Sequence, residues 1–118
     1  MGNYLKIGTK NINSTKYASL AGGFIRDILP NVKENERGWK LKKKHVAELV
    51  FYTKLLLGDD ELLKKYIDEN DEDDCNVEFG DESFDEIKET IEYIHNCFVD
   101  VLVDMILYKD KCVKVKWI

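Results

Sequence analysis

The strongest constraint in this 118-residue sequence is an apolar repeat near its C-terminal end. The spacing of its members alternates between three and four residues, as it does along the buried seam of an α-helix. The members are Phe84, Ile87, Ile91, Ile94, Phe98, Val101, Met105 and Tyr108. Ser83 precedes the repeat and Glu86 follows three residues later, which is the spacing of a capping box, in which both side chains accept hydrogen bonds from backbone N–H groups. The pattern therefore predicts a long C-terminal helix that begins after Ser83.

The second half of this helix is apolar on further faces. From Cys97 onward, additional apolar residues lie outside the seam: Val99, Leu102, Val103 and Ile106. We therefore predict that this half is central and nearly surrounded by the rest of the chain. A heptad seam also permits a coiled-coil homodimer. Because three shorter amphipathic segments are present, we favour a bundle built by the chain itself, with self-association through the long helix as the alternative.

Shorter patterns predict the remaining elements. One helix should begin after Ser14 or Thr15 and end at Leu29, because Pro30 disfavours helical backbone at the residue before it. Gly22-Gly23 weakens its middle, or marks a turn or a close backbone approach. Residues 43–57 predict a second helix, and a third should begin at Asp59 or Asp60 and continue through Ile67.

The remaining segments are less regular. Residues 30–43 are interpreted as a polar connection and residues 69–82 as an acidic loop. Residues 112–118 alternate like a strand and could pair with residues 4–8. The predicted fold class is therefore mainly α: residues 1–118 form a single domain with a small bundle of about four helices around the long C-terminal helix. A short β ribbon from the two termini is allowed within it.

Charge is sorted along the chain behind a modest net charge of −5. Residues 1–58 contain 11 basic and 4 acidic side chains, residues 59–92 contain 3 and 16, and residues 93–118 contain 4 and 3. Runs of like charge usually face water. The more specific interpretation is that either the basic or the acidic segment binds an oppositely charged partner.

The acidic middle supports the first functional hypothesis. A small acidic module could engage a basic surface on a partner protein, because complementary charge accelerates encounter and excludes wrong partners. Inhibitors, immunity proteins, antitoxins and viral or phage decoys work in this way, some of them as nucleic-acid mimics. The predicted partner-binding residues are Asp71, Glu72, Asp73, Asp74, Glu78, Asp81 and Glu82.

A basic run supports the alternative hypothesis, a nucleic-acid-binding accessory protein. Lysines neutralise phosphates, and a tryptophan can stack on a base. The predicted nucleic-acid contacts are Trp39, Lys40, Lys42, Lys43 and Lys44. Against this alternative stand the overall acidity and the lack of a recognisable helix-turn-helix or RRM signature.

No pattern predicts an enzyme, a metal site or a cofactor. His45 and His95 have no ligand partner at metal-binding spacing. An EF-hand register that begins at Asp71 has Asn76 where the sharp turn requires glycine. Three cysteines without paired spacing favour reduced thiols in a cytoplasmic protein. Asp100 and Asp104 share one face of the long helix, either as its solvent-facing line or as a buried pair matched to Arg26 or a lysine.

Gly22-Gly23-Phe24-Ile25-Arg26-Asp27 resembles the GGxxRD element of poly(A) polymerases and CCA-adding nucleotidyltransferases. The resemblance implies glycines that line a nucleotide site, near an Asp-x-Asp pair that binds metal. No Asp-x-Asp follows at a short distance, since residues 31–47 contain Glu34 and Glu36 but no aspartate. The resemblance covers six residues, and we assign no family from it.

Overall fold

The computed structural model describes residues 4–71 and 83–118 as four strands and four helices. In chain order these elements are β1 (Leu5–Ile7), β2 (Lys10–Ile12), α1 (Thr15–Ile28), β3 (Gly38–Lys42), α2 (Lys43–Gly58), α3 (Asp60–Asp71), α4 (Phe84–Leu107) and β4 (Cys112–Trp117). The strands form one antiparallel sheet in the order β2-β1-β4-β3. Helices cover one face of this sheet.

The predicted mainly-α bundle is therefore wrong, because the fold is α+β. The two terminal segments pair with each other, Leu5 opposite Trp117 and Ile7 opposite Val115, but as the central strands of a sheet and not as a ribbon beside a bundle. The segment interpreted as a polar connection contains β3, which pairs with β4 along five residues. β3 is short, so it shows little alternation between buried and exposed residues. Trp39 and Leu41 are buried, but the lysines beside them give the segment the composition of a polar connection.

The Ser83 half of the capping box predicted for α4 is present, and side chains also cap α1 and α2. At the start of α4, Ser83 Oγ accepts a hydrogen bond from the backbone N–H of Glu86 at 3.2 Å. Ser14 caps α1 in the same way, and α1 ends at Ile28 just before Pro30. At the start of α2, the backbone N–H of Lys42 donates to His45 Nδ1 at 2.9 Å, so the imidazole of His45 caps the N-terminus of this helix. Local side-chain chemistry thus determines where these helices begin.

The second half of α4 is not surrounded, contrary to the prediction. The seam is buried from Ile87 to Met105, and Phe98 lies in the centre of the core. Outside the seam, however, Val103 is 45% exposed and Ile106 is 56% exposed. The sheet and α2 cover only part of the helix circumference, so an apolar composition on all faces did not require burial on all faces.

The two aspartates of α4 do not form a buried pair. Asp100 is exposed, with an oxygen 3.5 Å from Lys10 Nζ on β2, and Asp104 is half-buried without an ion pair among the described residues. Arg26 pairs with Glu34 instead. The side of α4 that carries Asp100 and Asp104 therefore faces outward, next to the sheet edge formed by β2.

Candidate functional site

The sheet register collects lysines on the face that the helices leave open. Residues directly opposite in an antiparallel pair share one face, and β4 places Lys116 opposite Lys6 and Lys114 opposite Lys40. The residues that alternate with these lysines are buried, among them Leu5 and Val115, so the lysines face outward. We call this set the basic sheet face: Lys6, Lys40, Lys42, Lys114 and Lys116, all exposed.

The arrangement places like charges against each other. A like-charged pair directly opposite on a sheet destabilises it, because the two side chains repel each other. The basic sheet face has two such pairs, Lys6–Lys116 and Lys40–Lys114. Within residues 4–71 and 83–118, no carboxylate forms an ion pair with any of its five lysines. Its positive charge is therefore not neutralised by the described part of the chain.

A shallow cleft of about 220 Å³ lies at the β3 side of this face. Its lining residues are Asn35, Arg37, Gly38, Trp39, Lys40, Lys114, Val115 and Lys116. A turn before β3 brings Arg37 to the cleft, because Asn35 Oδ1 accepts from the backbone N–H groups of Arg37 and Gly38 at 2.9 and 3.1 Å. The cleft thus has four cationic side chains around it, a composition that suits an anionic group.

Two tryptophans occupy the opposite, helix-covered side of the same strands. Trp39 is 3% exposed, and its ring lies 6.0 Å from that of Trp117. Gly22 of α1 admits the Trp117 ring, since a Cβ at this glycine would lie 2.8 Å from it. Of the interpretations given above for Gly22-Gly23, a close approach therefore applies at Gly22, where the Trp117 ring packs against the helix backbone. The Trp39 ring lies beneath the sheet and not on the basic sheet face, so the base stacking predicted for Trp39 finds no exposed ring there.

Arg26 connects these tryptophans to an ion pair. Its guanidinium lies 5.4 Å from the Trp39 ring centre and 5.9 Å from that of Trp117, within cation–π range. Arg26 Nε and Nη2 donate to the two carboxylate oxygens of Glu34 at 2.9 Å each. The hydrogen bond from Arg26 is the main cause that lowers the pKa of Glu34, and the same bond raises the pKa of Arg26.

The residues of the GGxxRD-like segment are therefore used inside the fold. Gly22 accommodates a tryptophan, Arg26 binds Glu34, and Asp27 Oδ2 accepts a hydrogen bond from the Tyr66 hydroxyl at 3.0 Å. Within the described residues, no group of three or more potential metal ligands is gathered. This geometry gives no support to a nucleotidyltransferase site.

The predicted basic contacts are only partly brought together. Lys40 and Lys42 lie on the basic sheet face, whereas Lys43 and Lys44 are exposed in the first turn of α2. Sequence reasoning missed Lys6, Lys114 and Lys116, which are distant along the chain from the basic run. Alternation of Lys114 and Lys116 with buried Val115 was the available signal, but only the strand register shows that they adjoin Lys40.

The predicted acidic partner-binding residues lie almost entirely outside the described residues. Asp71 is the last residue of α3. Outside the described ranges are Glu72, Asp73, Asp74, Glu78, Asp81 and Glu82. Residues 69–71, assigned to the acidic loop, belong to α3 instead. Exposed carboxylates are nevertheless present on α3 and the first half of α4, and these include Asp60, Glu61, Asp85 and Glu89.

Burial determines the protonation of two groups on α4, His95 and Cys97. Thr53 Oγ1 lies 2.7 Å from His95 Nδ1 and donates to the carbonyl oxygen of Leu49. Burial is the main cause that lowers the pKa of His95 and raises the pKa of Cys97, so both groups favour their neutral forms. An uncharged imidazole and a protonated thiol contribute packing and hydrogen bonding here.

Comparisons with protein-family models, with curated proteins and with solved structures find no match for this chain. In the part of the chain that the structure describes, no helix has both the length and the apolar character needed to cross a bilayer. A function is therefore inferred from the geometry of the described residues.

Proposed function

We propose that this protein binds nucleic acid through the basic sheet face. The observation that carries the proposal is the pairing of Lys6 with Lys116 and of Lys40 with Lys114 across adjacent strands, without carboxylate partners in the described ranges. Phosphates that bridge such pairs relieve the repulsion between the lysines and release counterions from the polymer.

The charge of the basic sheet face matters more for nucleic-acid binding than the net charge of −5 of the whole chain. Screening at physiological ionic strength limits the interaction between exposed charges to about 8 Å. Neighbouring strands lie about 4.8 Å apart, so the two lysines of each opposite pair, Lys6–Lys116 and Lys40–Lys114, lie within this screening distance of each other. A phosphate on the face therefore interacts with several lysines, while exposed carboxylates farther away are largely screened.

The test compares two double variants of equal charge. Lys114→Gln with Lys116→Gln removes the centre of the basic sheet face, and Lys33→Gln with Lys54→Gln removes two exposed lysines from outside it. We expect the first variant to bind a labelled oligonucleotide about tenfold or more weakly at low salt, and to reduce the slope of log K against log salt by about 1.4–1.8. Fluorescence anisotropy over a series of NaCl concentrations measures both quantities.

The control variant should retain the affinity and the slope of the unmodified protein. Equal weakening by both double variants would contradict the proposal, since the effect would then follow net charge alone. Failure of the unmodified protein to bind any oligonucleotide at low salt would also contradict it. Thermal unfolding of each variant verifies that the sheet remains folded.

The exposed carboxylates favour a second candidate function, a module that engages a basic surface of a partner protein. The charged side chains of α3 and of the first half of α4 are predominantly acidic, and the chain continues between them with further carboxylates. Such a surface steers a basic partner into contact and limits binding of acidic ones. A protein with both surfaces could hold nucleic acid and a basic protein at separate places.

Neutralising the acidic segment tests the second candidate. We expect replacement of Asp71, Glu72, Asp73 and Asp74 by their amides to abolish capture of a basic host protein in a pull-down read by mass spectrometry. The matched control replaces exposed carboxylates outside this surface, Glu36, Glu48, Asp100 and Asp110, by their amides. Unchanged capture after the first set of substitutions would refute a role for the acidic segment.

A further inference from the structure

An aromatic side chain lies at one end of the basic sheet face. Tyr4 donates its backbone N–H to the Ile118 carbonyl at 3.2 Å, and Ile118 donates to the Tyr4 carbonyl at 2.9 Å. This pair extends the β1–β4 ladder beyond the Leu5–Trp117 pair. Because Leu5 is buried and side chains alternate along a strand, Tyr4 lies on the same side as Lys6. Its side chain is 43% exposed.

The outward pairs form a single row along β4. From one end to the other they are Tyr4–Ile118, Lys6–Lys116, Lys40–Lys114 and Lys42–Cys112. Successive members of the row lie about 6.6–6.8 Å apart, which is the rise of two strand residues. The aromatic ring is thus in line with the cations, at the distance of one step from the first lysine pair.

Such a row matches the two repeating features of a nucleic-acid strand. Cations along a groove or face follow the phosphates, and an exposed aromatic ring stacks on a base whose face is free. In a duplex the base faces are already stacked on each other, so a ring on a flat protein surface has no free base face to contact. The tryptophans of β3 and β4 face the core, which leaves Tyr4 as the aromatic platform among the described residues of this face.

We infer that the ligand of the basic sheet face is single-stranded nucleic acid, with one base stacked on Tyr4 and the adjoining phosphates held by the lysine row. This inference rests on the proposed nucleic-acid binding and adds the strandedness of the ligand and a base-contacting residue. Tyr4 selects an unpaired base without selecting its identity, since every base has a stacking face.

Substitutions of Tyr4 test the inference with three oligomers of equal length: a deoxythymidine oligomer, its abasic counterpart and a duplex. We expect Tyr4→Ala to weaken binding of the deoxythymidine oligomer by about 5- to 150-fold, because loss of one aromatic stack has that effect. Tyr4→Phe should retain the affinity, since its ring stacks equally well. The matched control is Tyr108→Ala, which removes an exposed tyrosine at the C-terminal end of α4.

The abasic oligomer distinguishes stacking from a folding defect. It retains the phosphates, so the unmodified protein and Tyr4→Ala should bind it with equal affinity and with the same salt dependence. Equal binding of single strand and duplex by the unmodified protein, or loss of abasic binding in Tyr4→Ala, would overturn the inference. The proposed phosphate binding by the lysines of the unmodified protein would stand in either case. Absence of binding to all three oligomers would overturn the proposed function itself.

Discussion

Replacement of Trp39 by alanine is expected to lower the free energy of unfolding by about 3–5 kcal/mol, the usual loss for a large aromatic residue in a core. Trp39 is almost fully buried, packs beside Trp117 and lies under the Arg26 guanidinium. Alanine would leave a cavity beneath β3 and remove the ring that this guanidinium covers. Urea unfolding followed by far-ultraviolet circular dichroism measures the change.

Trp39→Phe is the matched control for this substitution. Phenylalanine keeps an aromatic ring beneath the strand, so the loss of stability should be clearly smaller, and affinity for an oligonucleotide should remain unchanged. This outcome would separate a core role of Trp39 from a direct contact. If Trp39→Ala unfolded at the same urea concentration as the unmodified protein but lost oligonucleotide binding, the assignment of Trp39 to the core would be wrong.

Helix positions were predictable because their determinants are local. The seam of α4 repeats over many turns, and Ser83 interacts with a backbone group three residues away. The end of α1 follows from Pro30, the next residue but one. β3 has no comparable local determinant, because five residues with two exposed lysines show too few alternations to outweigh their lysine content. Its formation depends on pairing with β4, which is at least 70 residues away along the chain.

The candidate site was predictable only to the extent that its residues are neighbours in sequence. Lys40 and Lys42 were identified from the basic run, whereas Lys6 and Lys116 join them only through the strand order. Trp39 was assigned to the same surface because it adjoins Lys40, yet alternation places consecutive strand residues on opposite faces. Recognising β3 as a strand would have reversed that assignment. For Tyr4 the available signal was its alternation with Leu5 in the predicted strand of residues 4–8.

Replacement of Gly38 by alanine is the other substitution with a large expected effect. Gly38 has φ +145°, where side chains are strained, and an added Cβ would lie 1.9 Å from the carbonyl oxygen of Val115. That oxygen belongs to the backbone of β4, so relief requires β3 to move away from β4. We expect a loss of about 3 kcal/mol or more in the free energy of unfolding. Thermal and urea unfolding measure this loss.

Gly58→Ala is a matched control, because an added Cβ there meets nothing within 4 Å and its φ is not positive. We expect it to leave stability unchanged or to raise it by about 0.4–1 kcal/mol. Gly38→Ala should also weaken oligonucleotide binding more than Gly58→Ala does, since displacement of β3 separates Lys40 from Lys114. Equal stability of the two variants would contradict the close approach of Gly38 to the Val115 carbonyl oxygen. The close packing of β3 against β4, which places Lys40 beside Lys114, would then be contradicted as well.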